Sequence, residues 1–178
     1  MSALPGLCVR APNLRFVIRL AFQAALLRRN PYLHMVLAPD GVADGAIVVA
    51  AVHAILMIPF VLAGASVLGA ARLILSGLVG WILLSGLVYL IGKHALEGYG
   101  SFQGTMAATS IGQPVLLASL ALTRVIDPYL ALLLGTVWLV LTIWMAARIA
   151  LELDAGRAAI AAIGGWFAYL IVLSIFRI

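Results

Sequence analysis

Charge is scarce in this chain. Asp, Glu, Lys and Arg together make up 10% of its 178 residues, against roughly a quarter in an ordinary soluble domain. Hydrophobic residues account for 65% and the mean hydropathy is +1.19, which excludes a free-standing aqueous domain. Cysteine is almost missing as well. One residue, Cys8, rules out an intramolecular disulfide. Leu7 precedes it where a lipoprotein signal would have a small residue, so Cys8 reads as an inert thiol rather than an acylation site. There is no Cys-x-x-Cys-His, no phosphate-cradling glycine loop, and no nucleophile beside a histidine and an aspartate. Ser101, Thr109 and Ser110 have no such neighbours, so no catalysis is expected. The first hydrophobic run opens after residue 13 and is broken by Arg15 and Arg19. No cleavable signal peptide is expected from that pattern.

What the chain does contain is five apolar stretches, each near the twenty or so residues a helix needs to cross a bilayer. They fall at about 46–68, 73–91, 105–122, 128–147 and 158–176. The expected fold is all-α: a polytopic membrane protein with five transmembrane helices in one domain, 43–178, preceded by an N-terminal segment, 1–42. Asp44 is placed to cap the first span, with Pro59 kinking it. Residues 69–72 form the expected tight link. Pro114 lies near the middle of the third span, and Pro128 is placed to open the fourth.

The N-terminal segment carries a basic amphipathic helix over 13–29, stopped by Asn30-Pro31. Arg15, Arg19 and Gln23 recur every four residues and share one stripe, with apolar residues around the remainder. A cationic stripe on an apolar helix suits the headgroup boundary. Crossing the bilayer would cost about 2.5–3.5 kcal/mol for each mid-helix arginine. Arg15, Arg19, Arg28 and Arg29 are therefore the candidate lipid-binding residues, and anionic lipid is the expected partner. Nucleic acid is not, since the basic residues sit at span ends rather than on a polar, aromatic-laced face. With a cytoplasmic N-terminus, that side holds Arg10, Arg15, Arg19, Arg28, Arg29, Lys93, Arg148 and Arg157, and the opposite side Arg72, Arg124 and Arg177. The positive-inside rule then places the N-terminus in the cytoplasm and the C-terminus outside.

Small residues recur at close-packing spacing: Ala65 and Gly69, Ser76 and Gly80, Ala158 and Ala162, Ala161 and Gly165. Helices in lipid associate through such close approach rather than through hydrophobic burial. Gly69, Gly80, Gln113, Pro114 and Gly165 are accordingly the candidate packing or partner residues. Gln113 is placed to satisfy a carbonyl freed by Pro114 or to bridge to another helix. His53 and Met57 invite a haem or metal reading. His34 and His94, however, belong near the membrane boundary and His53 well inside it, so His53 reads as structural, with no cofactor or metal. No ionisable residue is expected near mid-depth of the five spans, which argues against a pump. Arg148, Glu152, Asp154 and Arg157 form a small cluster read as a solvated helix end.

Gly92-Lys93, then Gly100-Ser101-Phe102 with Thr105 opening the third span, then Pro114 within it, follow one another in an order that resembles the Yip domain family, named for interaction with Ypt/Rab GTPases. In local sequence the resemblance covers about residues 90 to 160. It continues through Trp138, Leu151 and the Asp154 to Ala158 turn. In topology it extends over 40–178, and the basic helix ahead of five spans fits bacterial members. The acidic-Leu-Tyr-Gly-Pro motif of eukaryotic members is missing, so Rab binding does not carry over. The resemblance implies a non-enzymatic protein of the bacterial inner membrane, acting in membrane organisation through lipid or protein binding. An accessory subunit of a larger respiratory or photosynthetic complex is the alternative, and a small channel or transporter the third reading.

Overall fold

The computed structural model describes the backbone of residues 14–176 and the side chains of 19–175. Cys8, Arg10 and the Arg15 side chain lie outside the described residues. Among the described residues there are eight α-helices, one π-helical turn and no strand: α1 Leu14–Ala25, α2 Arg29–Leu37, α3 Gly41–Leu62, α4 Val67–Leu90, the π turn Ile91–Ala95, α5 Phe102–Ser110, α6 Val115–Leu122, α7 Pro128–Ala150 and α8 Ala155–Phe176. Five stretches are long and apolar enough to cross a membrane: α3, α4 with its π turn, α5 with α6, α7, and α8. The chain is an all-α, multi-pass membrane protein. Two ends of the bundle can be named by their loops: the Lys93 end, with the α4–α5 loop and the α7–α8 turn, and the Arg124 end opposite.

Several boundaries differ from the expected ones. The first span occupies Gly41–Leu62 rather than 46–68. Pro59 lies in its last turn, and Gly64 takes a left-handed φ of 94°. Ala65 N–H donates to the Phe60 carbonyl at 2.9 Å and Gly64 N–H to the Val61 carbonyl at 3.0 Å, the double closure of a Schellman end. Ser66 then caps α4, its hydroxyl accepting from Gly69 N–H at 3.1 Å. The link is thus 63–66, and 69–72, with Arg72, belongs to α4. The third span is broken next to Pro114, into α5 and α6. Gly112, Gln113 and Val115 N–H donate three residues back, to Thr109, Ser110 and Gly112. This tighter winding suits a segment in which Pro114 has no N–H to give. The fourth span runs on to Ala150. The fifth begins at Ala155, because Asp154 caps it through Gly156 and Arg157 N–H at 2.9 and 3.0 Å.

The larger departure is at the N-terminal side. Asn30-Pro31 does not stop the amphipathic helix. α1 ends at Ala25, Leu27 turns the chain with a φ of 56°, and Pro31 sits in the first turn of α2, where a missing N–H costs nothing. α2 is a helix in its own right, packed against α5, α7 and α3. The half-helix α5 stands at the centre, against α2, α3, α4 and α7, and every residue from Gly104 to Gln113 is buried. Gly112 faces Thr142 and Gly135 faces Ser119. The break at 111–114 therefore lies beside the middle of α7.

Candidate functional site

The candidate lipid-binding arginines belong to a helical hairpin. α1 leads down to the turn at 26–28, and α2 returns along α5. One side-chain donor secures the hairpin to the bundle and a second ties its two helices together, both at α1's last carbonyls, where a helix C-terminus runs short of internal partners. The Trp138 indole N–H of α7 donates to the Ala25 carbonyl at 2.8 Å. The fully buried Tyr32 hydroxyl of α2 donates to the Ala24 carbonyl at 2.9 Å. Apolar packing joins them: Ala24, Tyr32 and Met35 form one cluster with Ala107, Ala108, Ile111, Ala146 and Ala150. Arg19, Arg28 and Arg29 are all exposed. Arg28 and Arg29 occupy the hairpin tip with exposed Asn30, while Phe22, Leu26 and Leu33 expose apolar surface beside them.

The candidate packing residues divide into separate places. Gly80 and Gly165 share the α4–α8 interface. A Cβ at Gly80 would stand 2.8 Å from the Tyr169 hydroxyl, and one at Gly165 3.1 Å from the Val88 Cα. Close backbone approach of this kind is what small residues permit in lipid. Gly69 stands apart from that seam and receives the Ser66 cap. Gln113 and Pro114 lie in the break of the third span. Pro114 opens α6, and Gln113 is buried.

Around that break runs a buried hydroxyl and indole network. The Trp81 indole N–H donates to the Met106 carbonyl at 3.2 Å and to the Thr109 hydroxyl at 3.1 Å. Ser85 and Thr109 hydroxyls lie 2.7 Å apart, and the Ser85 hydroxyl also donates to the Trp81 carbonyl at 2.7 Å. Ser110 and Thr142 return their hydroxyls to their own helices. Among the described residues no fully buried side-chain polar atom lacks a partner. The network joins α4 to α5 and holds a polar half-helix inside an apolar bundle.

The His53 Nδ1–H donates to the Val49 carbonyl at 2.9 Å, and its ring lies against Gly77 of α4. His94 stands exposed beyond α4, edge-on to Tyr89. Seventeen residues separate Gly77 from His94, roughly 25 Å of helix, so His53 and His94 do not share a level. Among the described residues no three His, Cys, Asp or Glu side chains gather to hold a metal.

Of the cluster at the Lys93 end, Asp154 and Arg157 pair at 3.3 Å, and Arg157 also donates to the Leu96 carbonyl at 3.3 Å, tying the two loops together. The Asp154 carboxyl is held below its ordinary pKa, chiefly by the Arg157 backbone N–H, against some desolvation and with help from Gly156 N–H and the Arg157 charge. Glycines 92, 98 and 100 press the α4–α5 loop onto Ala150 and Leu151, with Tyr99 N–H donating to the Leu151 carbonyl at 3.1 Å.

Several of these features carried little local signal. Gly77 lies against the large His53 ring and Gly135 against Ser119, and Trp138 meets a carbonyl 113 residues earlier. Comparison with family models, curated proteins and solved structures finds no match to this chain.

Proposed function

We propose that the chain is a non-enzymatic, Yip-like membrane protein that works in membrane organisation by binding anionic lipid and protein partners. The observation that supports this reading is the arginine-bearing hairpin, held to α7 by the Trp138 hydrogen bond and closed between its own two helices by that of Tyr32. Because it is docked, Arg19, Arg28 and Arg29 form part of a built surface on the bundle rather than a trailing tail. Arginine is suited to such a surface, since its planar fork meets phosphate with two parallel hydrogen bonds. On this reading the Lys93 end faces the cytoplasm of a bacterial inner membrane, and the hairpin enters the bundle from that side.

The test is lipid analysis of protein extracted in mild detergent. Anionic phospholipid should be enriched over the bulk membrane, and the enrichment should fall when Arg15, Arg19, Arg28 and Arg29 are changed to Gln. Cysteines at Ser101 and Ala155 should be shielded from an impermeant reagent applied outside, while one at Thr123 reacts. Stoichiometric copurification with a cofactor-bearing complex, without lipid enrichment, would replace this reading with that of an accessory subunit.

A further inference from the structure

The level at which the hairpin ends goes beyond general lipid binding. Trp138 lies ten residues past Pro128 and twelve short of Ala150, roughly 15 and 18 Å from the two ends of α7. The hydrocarbon core is about 30 Å thick, so the Ala25 carbonyl that Trp138 holds stands at the middle of the span. α2 gives the same level independently. Val36 lies against Gly104, near the start of α5, while Tyr32 packs in one cluster with Ala108 and Ile111. The helix therefore descends from Val36 toward its own N-terminus. Arg29 is almost a further turn below Tyr32, beside the break at 111–114.

Exposed arginines at that level cannot be left among acyl chains, where a charged side chain is among the costliest groups a membrane protein can present. The distance to either surface exceeds what an arginine stem can span by reaching outward. Among the described residues neither Arg28 nor Arg29 forms an ion pair. Their exposed neighbours Phe22, Leu26 and Leu33 are apolar. A cationic tip bordered by apolar side chains matches a phosphate carrying acyl chains.

We propose that Arg28 and Arg29 hold the phosphate of an anionic phospholipid drawn below its ordinary headgroup plane, with its acyl chains along Phe22, Leu26 and Leu33. This rests on the lipid-binding reading above and adds a place and a depth to it. The leaflet beside α1 and α2 is accordingly thinned.

The experiment uses the full chain with Cys8 changed to Ser, in phosphatidylcholine vesicles containing phosphatidylglycerol. Three readouts are taken: arginine Cζ to lipid phosphorus proximity by solid-state NMR, oxygen against nickel-chelate accessibility of a nitroxide at Leu26→Cys, and selectivity for spin-labelled phosphatidylglycerol over phosphatidylcholine. The expected result is a Cζ–phosphorus signal that disappears in R28Q/R29Q, together with a deep, oxygen-accessible nitroxide. Selectivity should fall about fivefold for each arginine removed and persist in R28K/R29K, which keeps the charge and controls for folding. A Cζ–phosphorus signal with the nitroxide at headgroup depth would overturn the drawn-down lipid while leaving the lipid-binding function standing. Selectivity abolished in R19Q but kept in R28Q/R29Q would overturn this site in favour of a surface one. Absence of any anionic selectivity in the unsubstituted protein would overturn both, and would point to an acidic protein partner at the tip.

Discussion

Changing Trp138 to Phe keeps an aromatic ring in α7 and removes one N–H, the donor to the Ala25 carbonyl at 2.8 Å. That carbonyl ends α1, where no later turn supplies an N–H, and it lies inside the bilayer level of the bundle. A carbonyl so stranded costs about 1–3 kcal/mol, although hydrogen bonds within membranes often measure nearer to about 0.6 kcal/mol. Taking about 1–2 kcal/mol, undocking of the hairpin becomes roughly five to thirty times more frequent. The assay is amide hydrogen exchange on protein in nanodiscs, following Arg28 N–H, which donates to the Gln23 carbonyl at 3.1 Å, and the amides of α2. Exchange should accelerate there and stay unchanged in α4 and α8, which share no contact with the hairpin of comparable extent. Tyr32→Phe removes the companion donor, from a fully buried hydroxyl to the Ala24 carbonyl at 2.9 Å. Since that carbonyl also accepts from Leu27 N–H at 2.9 Å, the effect should be smaller than that of W138F. Unchanged protection of α1 and α2 in W138F, or equal loosening over the whole bundle, would refute the idea that this bond specifically docks the hairpin.

Two further outcomes follow from packing and charge. Gly135→Ala places a methyl 2.5 Å from the Ser119 Cβ, so α6 and α7 must separate. Overpacking of this kind costs about 1–3 kcal/mol, and a double-mutant cycle with Ser119→Gly in mixed-micelle unfolding should show partial rescue, strict additivity counting against the contact. Because Asp154 has its pKa depressed, chiefly by the Arg157 backbone N–H, the α8 cap is fully stabilising above the ordinary aspartate pKa and weakens as pH falls through the depressed value. Intrinsic-rate-corrected exchange at Gly156 and Arg157 should rise on acidification and be fast at every pH in D154A; pH-independent protection in the unsubstituted chain would contradict the cap.

The five spans were legible because hydrocarbon selects for composition over a length, and 46–68 or 158–176 satisfy that test wherever their ends fall. Their ends depend on local hydrogen bonding that hydropathy does not register. Gly64 and Ser66 close one helix and open the next inside what reads as continuous apolar sequence. Pro114 was expected within the third span, but a proline only removes one donor; the extent of the break follows from Gly112 and Gln113 bonding three residues back. Gly80 and Gly165 declared themselves by small-residue spacing because both meet a neighbouring helix there. Gly77 did not, since Leu73 and Trp81, four residues to either side, make no small-residue pair with it. The hairpin was half legible. The stripe of Arg15, Arg19 and Gln23 shows a helix, but α2 has no amphipathic period of its own, and the bonds that dock the pair connect residues far apart in the chain.

The central position of α5 has a consequence for how the protein is made. The stretch Phe102–Leu122 has a mean hydropathy of 1.4, whereas the other four spans range from 2.1 to 2.5. A newly synthesised helix partitions into lipid by its own transfer free energy, and this one is the least inclined to stay there. Its Thr109 hydroxyl and Met106 carbonyl are met by Trp81 and Ser85, made earlier, while Gly112 and Ser119 meet their α7 neighbours Thr142 and Gly135, made later. During synthesis the third span is accordingly retained first by the hairpin of α3 and α4, and becomes fully enclosed only once α7 has emerged. The middle of the molecule is thus closed only by a span made after it, and the chain upstream of α7 is a platform awaiting its cover.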